Sequence, residues 1–241
     1  MTTLPRFLEW DTQFFGPRIA SLSAPASGAD AGELRAAESW CRSERIDCLY
    51  LRSDADDVTT VRAASELGFR FVDVRITFDC GLNQLPTSSA HEGIRAARPG
   101  DVATLRTIAA YNHTNTRFYT DPRFARERCD ELYATWIEKS VNGWAERVLV
   151  PDDGAGALGY LTLHLRPENT AEIGLVGLAR EAQGRGLGRK LVETAIAWMR
   201  AKGCTRATVV TQGRNIAAQR LYQAAGFRTR AMEFWHHRWF T

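Results

Sequence analysis

The sequence of 241 residues has no run approaching the ~20 apolar residues that a membrane span needs. Its first ten residues, Met1 to Trp10, hold no apolar stretch of the kind that opens a secreted chain. A soluble, cytoplasmic protein with no membrane partner is expected. Cysteine is sparse and unpatterned: Cys41, Cys48, Cys80, Cys129 and Cys204 are odd in number, far apart, and show neither Cys-x-x-Cys nor Cys/His ligand spacing. That argues against a disulfide frame or a zinc site. The adjacent His236 and His237 fall on a predicted strand, where neighbours point to opposite faces, so no metal is expected. The formal net charge is only +3 and the basic residues form no tract, so nucleic acid is not indicated as a partner.

What is present is enough apolar material, 44 % of the residues, to bury a core in one large or two small globular units. Residues 83–92 (NQLPTSSAHE) collect proline, serine and polar side chains between two patterned regions, the composition of a linker. They predict a smaller N-terminal α/β domain over 1–90 and a second domain over 91–241. Upstream, the periodicities predict helices at 33–45 and 58–67 and strands at 48–52 and 69–78. Downstream, strands are expected at 93–98, 147–151, 157–165, 172–178, 206–211 and 229–238. Helices are expected at 99–110, 128–141, 186–202 and 216–225. The alternation predicts a mixed α/β sheet. Residues 64–75 and 222–233 share a helix–Gly–Phe–strand spelling at a constant offset, so the N-terminal region reads as a degenerate half-copy of the later one. It lacks a glycine loop and carries Asp57 and Ala64 where the later copy has Asn215 and Tyr222, and it is therefore read as non-catalytic.

Chemistry concentrates in Gln183-Gly184-Arg185-Gly186-Leu187-Gly188, between a predicted strand and a predicted helix. Glycines there let successive backbone N–H groups converge on an anion, and the helix N-terminus adds partial positive charge. The loop lacks the third small residue of a dinucleotide fingerprint and the Gly-Lys-Ser/Thr ending of a P-loop. Seven residues separate Asn215 from Tyr222, close to two helical turns, so both lie on nearly one helix face with Ala218 between them. That face can line a narrow slot.

These two clusters resemble motif A and the following helix of the GNAT superfamily of acyl-CoA N-acyltransferases, over about residues 93–241. The resemblance implies the GNAT fold: a mixed, mostly antiparallel sheet flanked by helices. It implies acetyl-CoA as co-substrate, with the backbone of Gln183, Gly184, Arg185, Gly186, Leu187 and Gly188 cradling the pyrophosphate. The main chain of Leu178 and Ala179 would hold the pantetheine arm as an added strand, and Asn215 would orient it. Tyr222 matches the family's general acid, a phenol of pKa ~10 expected to shift toward the ~8.5 of a thiol in a low-dielectric slot. Glu172, eleven residues before Gln183, stands where relatives of this superfamily place a base glutamate.

Over nearly the whole chain, Glu9–Gly16, Arg117–Pro122 and Leu132–Val141 look like the corresponding segments of the dTDP-fucosamine acetyltransferases. That likeness implies transfer to the 4-amine of a dTDP-4-amino-4,6-dideoxyhexose, a nucleotide-linked amino sugar. The loop 111–124 would face the acceptor, with Arg117, Phe118 and Tyr119 as contacts. Alternatives are another small amine, a protein N-terminus, or a non-catalytic acyl-CoA-binding module. A homodimer is compatible with the sequence.

Overall fold

The computed structural model describes residues 4–86 and 89–240. Met1–Thr3, Thr87 and Ser88 of the predicted linker, and Thr241 lie outside the described residues. The N-terminal part contains β1 (Arg6–Phe7), α1 (Glu9–Phe15), β2 (Ile19–Ser23), α2 (Ala31–Ser43), β3 (Cys48–Asp54), α3 (Val58–Glu66) and β4 (Arg70–Gly81). After the linker come β5 (Ile94–Ala96), α4 (Val102–Asn112), α5 (Arg117–Thr120), α6 (Arg126–Lys139), β6 (Arg147–Pro151), β7 (Gly159–Arg166) and β8 (Thr170–Leu178). The chain ends with α7 (Leu187–Ala201), β9 (Arg206–Gln212), α8 (Ile216–Ala224) and β10 (Arg228–Trp239).

Most boundaries fall within two or three residues of those predicted from periodicity. Four elements were not legible that way: β1, α1, β2 and the single turn α5. The aromatic residues of α1 and α5 are ordered by distant partners instead. The Trp10 ring lies 6.0 Å from that of Trp136, and Phe15 stacks on Phe118 at 5.1 Å. A seven-residue helix is too short to persist on propensity, so this packing sustains it.

All ten strands form one sheet in the order β1-β2-β3-β10-β4-β9-β8-β7-β6-β5. The pairs β2·β3 and β8·β9 are parallel and the other neighbours antiparallel. The segments on either side of residue 90 are interleaved: the last strand, β10, lies between β3 and β4, and β4 in turn pairs with β9. Element bounds repeat across the chain. β3 (48–54) and β9 (206–212), α3 (58–66) and α8 (216–224), and β4 (70–81) and β10 (228–239) are each separated by 158 positions. The registers repeat as well, since Glu233 faces Asp54 as Arg75 faces Gln212, and Arg75 faces Glu233 at the middle of the sheet.

On one side of the sheet α7 and α8 cover a core containing Ile76, Phe78 and Cys80 of β4, Leu161 and Leu163 of β7, and Ala207 and Val209 of β9. On the other, α4, α5 and α6 pack Leu105, Phe118, Leu132 and Ile137 around Tyr160 and Tyr50. By the period of two along each strand, residues alternate between these faces. All five cysteines are free and buried.

Candidate active site

β8 and β9 run side by side only from Thr170↔Arg206 to Ile173↔Val209. Beyond that, β8 continues to Leu178 and β9 to Gln212 without pairing to each other. The two strands part like the arms of a V. Unpaired main-chain groups inside a protein are costly unless something bonds them, so the gap is suited to a ligand that supplies strand-like amide groups. A cavity of about 310 Å³ occupies it, lined by Gly174, Leu175 and Val176 from one arm and Val210, Thr211 and Gln212 from the other.

The loop after β8 leads to the N-terminus of α7. Gly184 and Gly186 have φ of +73° and +75°, left-handed conformations that favour glycine. A β-carbon at either would meet nothing within 4 Å, so conformation, not space, demands glycine. No side chain caps α7 at Gly186. The first amides of the helix are thus left for an external acceptor, the arrangement that suits a phosphate. A β-carbon at Gly188 would make an ordinary contact, 3.4 Å from Leu221 Cδ2 of α8. Arg189 pairs with Glu193 at 2.7 Å.

At the end of β8 the main chain is partly engaged. The Ala179 N–H donates to Leu158 O at 2.8 Å. Leu178 O accepts from Asn112 Nδ2 at 3.0 Å and from Gln183 Nε2 at 3.3 Å. Further back, at Gly174–Val176, β8 has no β9 partner, and the Leu175 N–H donates to Thr162 Oγ1 at 2.8 Å.

Across the V, α8 presents Asn215, Ala218, Leu221 and Tyr222 to the cavity. Asn215 is the N-cap, its Oδ1 accepting from Ala218 N–H at 3.2 Å. Tyr222 is 3 % exposed, with its ring 6.1 Å from that of Phe78 and 6.0 Å from that of Phe227. Burial pushes the Tyr222 phenol well above its ordinary value. The expected shift toward the thiol range is therefore reversed: desolvation disfavours the phenolate, and no cation offsets it. The group keeps its proton throughout the working pH range.

A model of the "Acetyltransferase (GNAT) family" matches residues 105–227. The chain belongs to that family. The splayed strands, the glycine loop and the helix face with Tyr222 all lie inside or beside the matched span, and GNAT acetyltransferases use acetyl-CoA. The chain is 28 % identical over 237 residues to the dTDP-fucosamine acetyltransferase of Escherichia coli, a match covering 96 % of each chain. It is 25 % identical over 141 residues to a spore coat polysaccharide biosynthesis protein of Bacillus subtilis, covering 58 % of this chain and 48 % of that one. Among solved structures, a GCN5-related N-acetyltransferase from Sphaerobacter thermophilus shares the fold, with a TM-score of 0.65 at 18 % identity over 98 % of this chain and 76 % of that one.

On the face opposite α7, the cavity of this GNAT enzyme opens into a chamber walled by His113, Thr116, Tyr133, Trp136, Trp144 and His164. Tyr133 and Trp136 lie in the segment Leu132–Val141, but the sequence assigned no contact to them or to Trp144; only the turn at the end of α6 (Ser140–Trp144) swings Trp144 over His164, with ring centroids 5.4 Å apart. His113 stacks on Tyr133 at 4.4 Å, and its Nε2 is 2.8 Å from the Tyr160 hydroxyl. Burial brings His113 down to about 4, so it is neutral. His164 is lowered for the same reason.

Glu172 lines the chamber together with Arg166, whose Nε donates to it at 2.8 Å. The predicted acceptor contacts are placed otherwise. Phe118 is 5 % exposed, between Phe15, Phe124 and Tyr50, so its ring faces are taken. Tyr119 donates its hydroxyl to Asp130 at 2.5 Å. The Arg117 guanidinium lies 4.1, 4.3 and 4.4 Å from the rings of Tyr50, Phe118 and Trp235. None of the three lines the cavity. Aromatic side chains from distant elements claim them, and a local polar loop does not reveal that. Among the described residues, no group of His, Cys, Asp and Glu is arranged to hold a metal.

Proposed function

We propose that this GNAT enzyme transfers acetyl from acetyl-CoA to the amine of a nucleotide-linked amino sugar, the 4-amine of a dTDP-4-amino-4,6-dideoxyhexose. The observation that carries the reading is the continuous passage from the splayed strands to a chamber with an aromatic wall. Tyr133, Trp136 and Trp144 offer faces to a sugar or base ring, while Arg166, Glu172 and Gln212 offer charged and amide groups at its edge. The dTDP-fucosamine acetyltransferase of Escherichia coli, similar over 96 % of both chains, supports that acceptor over a peptide amine.

In this reading the glycine loop Gln183–Gly188 receives the pyrophosphate and the open edge of β8 the pantetheine arm. Asn215 lies beside that arm. The acceptor amine attacks the thioester carbonyl, forming the C–N bond. As the C–S bond breaks, Tyr222 gives its proton to the departing thiolate. The Tyr222 phenol is held protonated by burial, which keeps the donor form fully populated. Glu172 is the carboxylate that the family resemblance puts forward for the amine's proton, but it is engaged by Arg166. Residues 1–90 contribute no second acetyl-CoA site.

Purified protein incubated with acetyl-CoA and a panel of dTDP- and UDP-linked amino sugars, with thiol release as readout, tests the acceptor. Turnover with dTDP-4-amino-4,6-dideoxyhexoses is expected. Turnover with peptides and none with any sugar overturns the sugar assignment.

A further inference from the structure

The acceptor proposed above carries its negative charge on a diphosphate, and the cavity has little to receive it. Of the described residues that line the cavity, Arg166 alone bears a permanent positive charge. His113 is neutral, brought down to about 4 by burial, and His164 is lowered for the same reason. A diphosphate drawn in among Tyr133, Trp136 and His113 would lose its water and gain no counter-charge. The cavity of about 310 Å³ also has to admit the end of the pantetheine arm. A sugar ring fills what is left, and the nucleotide lies beyond the rim.

The sheet sets the direction in which it leaves. On β8, Ala171 and Ile173 belong to the core beneath α7, so Thr170, Glu172 and Gly174 lie on the chamber face. On β9 the core residues are Ala207 and Val209, and on β4 they include Phe78 and Cys80. Arg206 and Asp79 therefore lie on the chamber face too. The register aligns Arg166 of β7 with Thr170 of β8, and Thr170 with Arg206 of β9. One row across three strands thus reads arginine, threonine, arginine. From Gly174, where β8 has left β9, back to Thr170 is a distance of about 13 Å at ~3.3 Å per residue. That is the scale of an amine at the mouth of the V, a hexose ring over Glu172 and a diphosphate over Thr170.

The row is accessible and already set for charge. Arg166 Nε donates to Glu172 at 2.8 Å and Arg206 Nε to Asp79 at 3.0 Å, and all four side chains are partly exposed. Each carboxylate fixes its guanidinium but leaves some of the five N–H donors for another acceptor. The Thr170 hydroxyl makes only a long hydrogen bond, to Glu168 O at 3.4 Å. The other arm of the V leads to Arg75, directly opposite Gln212. There Arg75 and Arg52 share Glu233, and each bonds a hydroxyl as well, Thr77 at 2.9 Å and Ser23 at 3.1 Å. Both are less exposed than Arg166 and Arg206, and neither lines the cavity.

We propose that Arg166, Thr170 and Arg206 receive the diphosphate of the acceptor. This rests on reading the acceptor as a nucleotide-linked amino sugar. The phosphate oxygens accept from the guanidinium N–H groups that Glu172 and Asp79 leave unused, in charge-assisted hydrogen bonds. The Thr170 hydroxyl turns from Glu168 O to donate between them. Anchored there, the nucleotide stays at the solvent edge, and the sugar lies across Glu172 with its amine toward the V.

Calorimetry with dTDP as the probe, at saturating CoA so that the glycine loop is filled, tests the row apart from turnover. Arg206→Gln should weaken dTDP binding by roughly 10-fold or more. Thr170→Val, which suits a strand and nearly keeps the shape, should weaken it several-fold and serves if the Gln variant is unstable. CoA affinity should be unchanged in both. Asp79→Asn should tighten dTDP a few-fold, since it removes a negative charge and releases Arg206. An ion pair that only braced the sheet would give no such opposite signs. With dTDP-4-amino-4,6-dideoxygalactose, the Arg206→Gln effect should fall on KM and leave kcat nearly unchanged. A parent that acetylates this sugar, with Arg206→Gln and Thr170→Val binding dTDP as it does, overturns this proposal alone. So does loss of dTDP binding in Arg75→Gln but not in Arg206→Gln, or an Asp79→Asn variant as weak as Arg206→Gln. A parent that acetylates only peptides and binds no dTDP overturns the sugar reading and this row together.

Discussion

The strand–helix–strand units β3-α3-β4 and β9-α8-β10 occupy matching positions in the sheet, 158 residues apart, yet among the described residues only the second lines the cavity between the splayed strands. At the N-terminus of α2, Asp30 accepts from Glu33 N–H at 2.9 Å while Glu33 accepts from Asp30 N–H at 3.1 Å, a closed capping box. The helix ends up satisfied by its own carboxylates, and an incoming phosphate would be repelled. At the N-terminus of α7 there is only a left-handed glycine. The strands differ in the same sense. β2 pairs with β3 along its whole length, whereas β8 and β9 part after four pairs. Finally, the position of Tyr222 is held in the first unit by Ala64, fully buried. Similar frames thus diverge through three local choices: a capped helix, a closed strand pair and a missing hydroxyl.

The comparison breaks most visibly at the glycines. Calorimetry of the parent protein should find a single acetyl-CoA per chain, and two would show that the first unit also binds. Gly186→Val should abolish that binding, because the side chain would enter the open space above the loop and strain a φ of +75°. An unchanged affinity would remove the loop from the site. Next in size, Tyr222→Phe should lower turnover by roughly 100-fold or more with acetyl-CoA affinity little changed. Since burial raises this phenol, the alkaline side of the rate profile below the ordinary phenol range should be the same in parent and variant. Turnover within a few-fold of the parent would return Tyr222 to a packing role.

The matching test in the first unit uses Gly28, whose φ of +78° nearly equals that of Gly186 but whose β-carbon would come within 2.5 Å of Asp57 Oδ1. Gly28→Ala should therefore cost about 1–2 kcal/mol or more of stability while acetyl-CoA binding stays intact, which denaturant melts and calorimetry on one sample would check. The smallest effect is expected from Asp30→Ala, about 1 kcal/mol from the lost cap, read as a lower denaturation midpoint with unaltered kcat. A loss of activity without a loss of stability in either variant would mean that the N-terminal helices reach the acceptor.

Much of this was legible beforehand because it is local. A glycine loop between a strand and a helix, and an Asn and a Tyr two turns apart, declare themselves through spacing alone; Asn215 and Tyr222 line the cavity, while the glycine loop lies outside its lining. The misread residues were those whose fate lies with distant partners. Phe118 and Tyr119 looked like acceptor contacts because their segment is polar and irregular. Instead, Phe15 and Tyr50 enclose the first, and Asp130 binds the second. Trp144, by contrast, became part of the chamber only because the end of α6 unwinds.

By itself, then, the sequence determined the order and type of nearly every long element and the family, since each follows from short-range periodicity or from a local motif. The tertiary structure alone decided that β10 lies between β3 and β4 and that β8 and β9 part after Ile173. Those outcomes depend on which strands pair across more than a hundred residues of chain. Such pairing is chosen by the burial of whole faces together, and no single stretch of sequence encodes it.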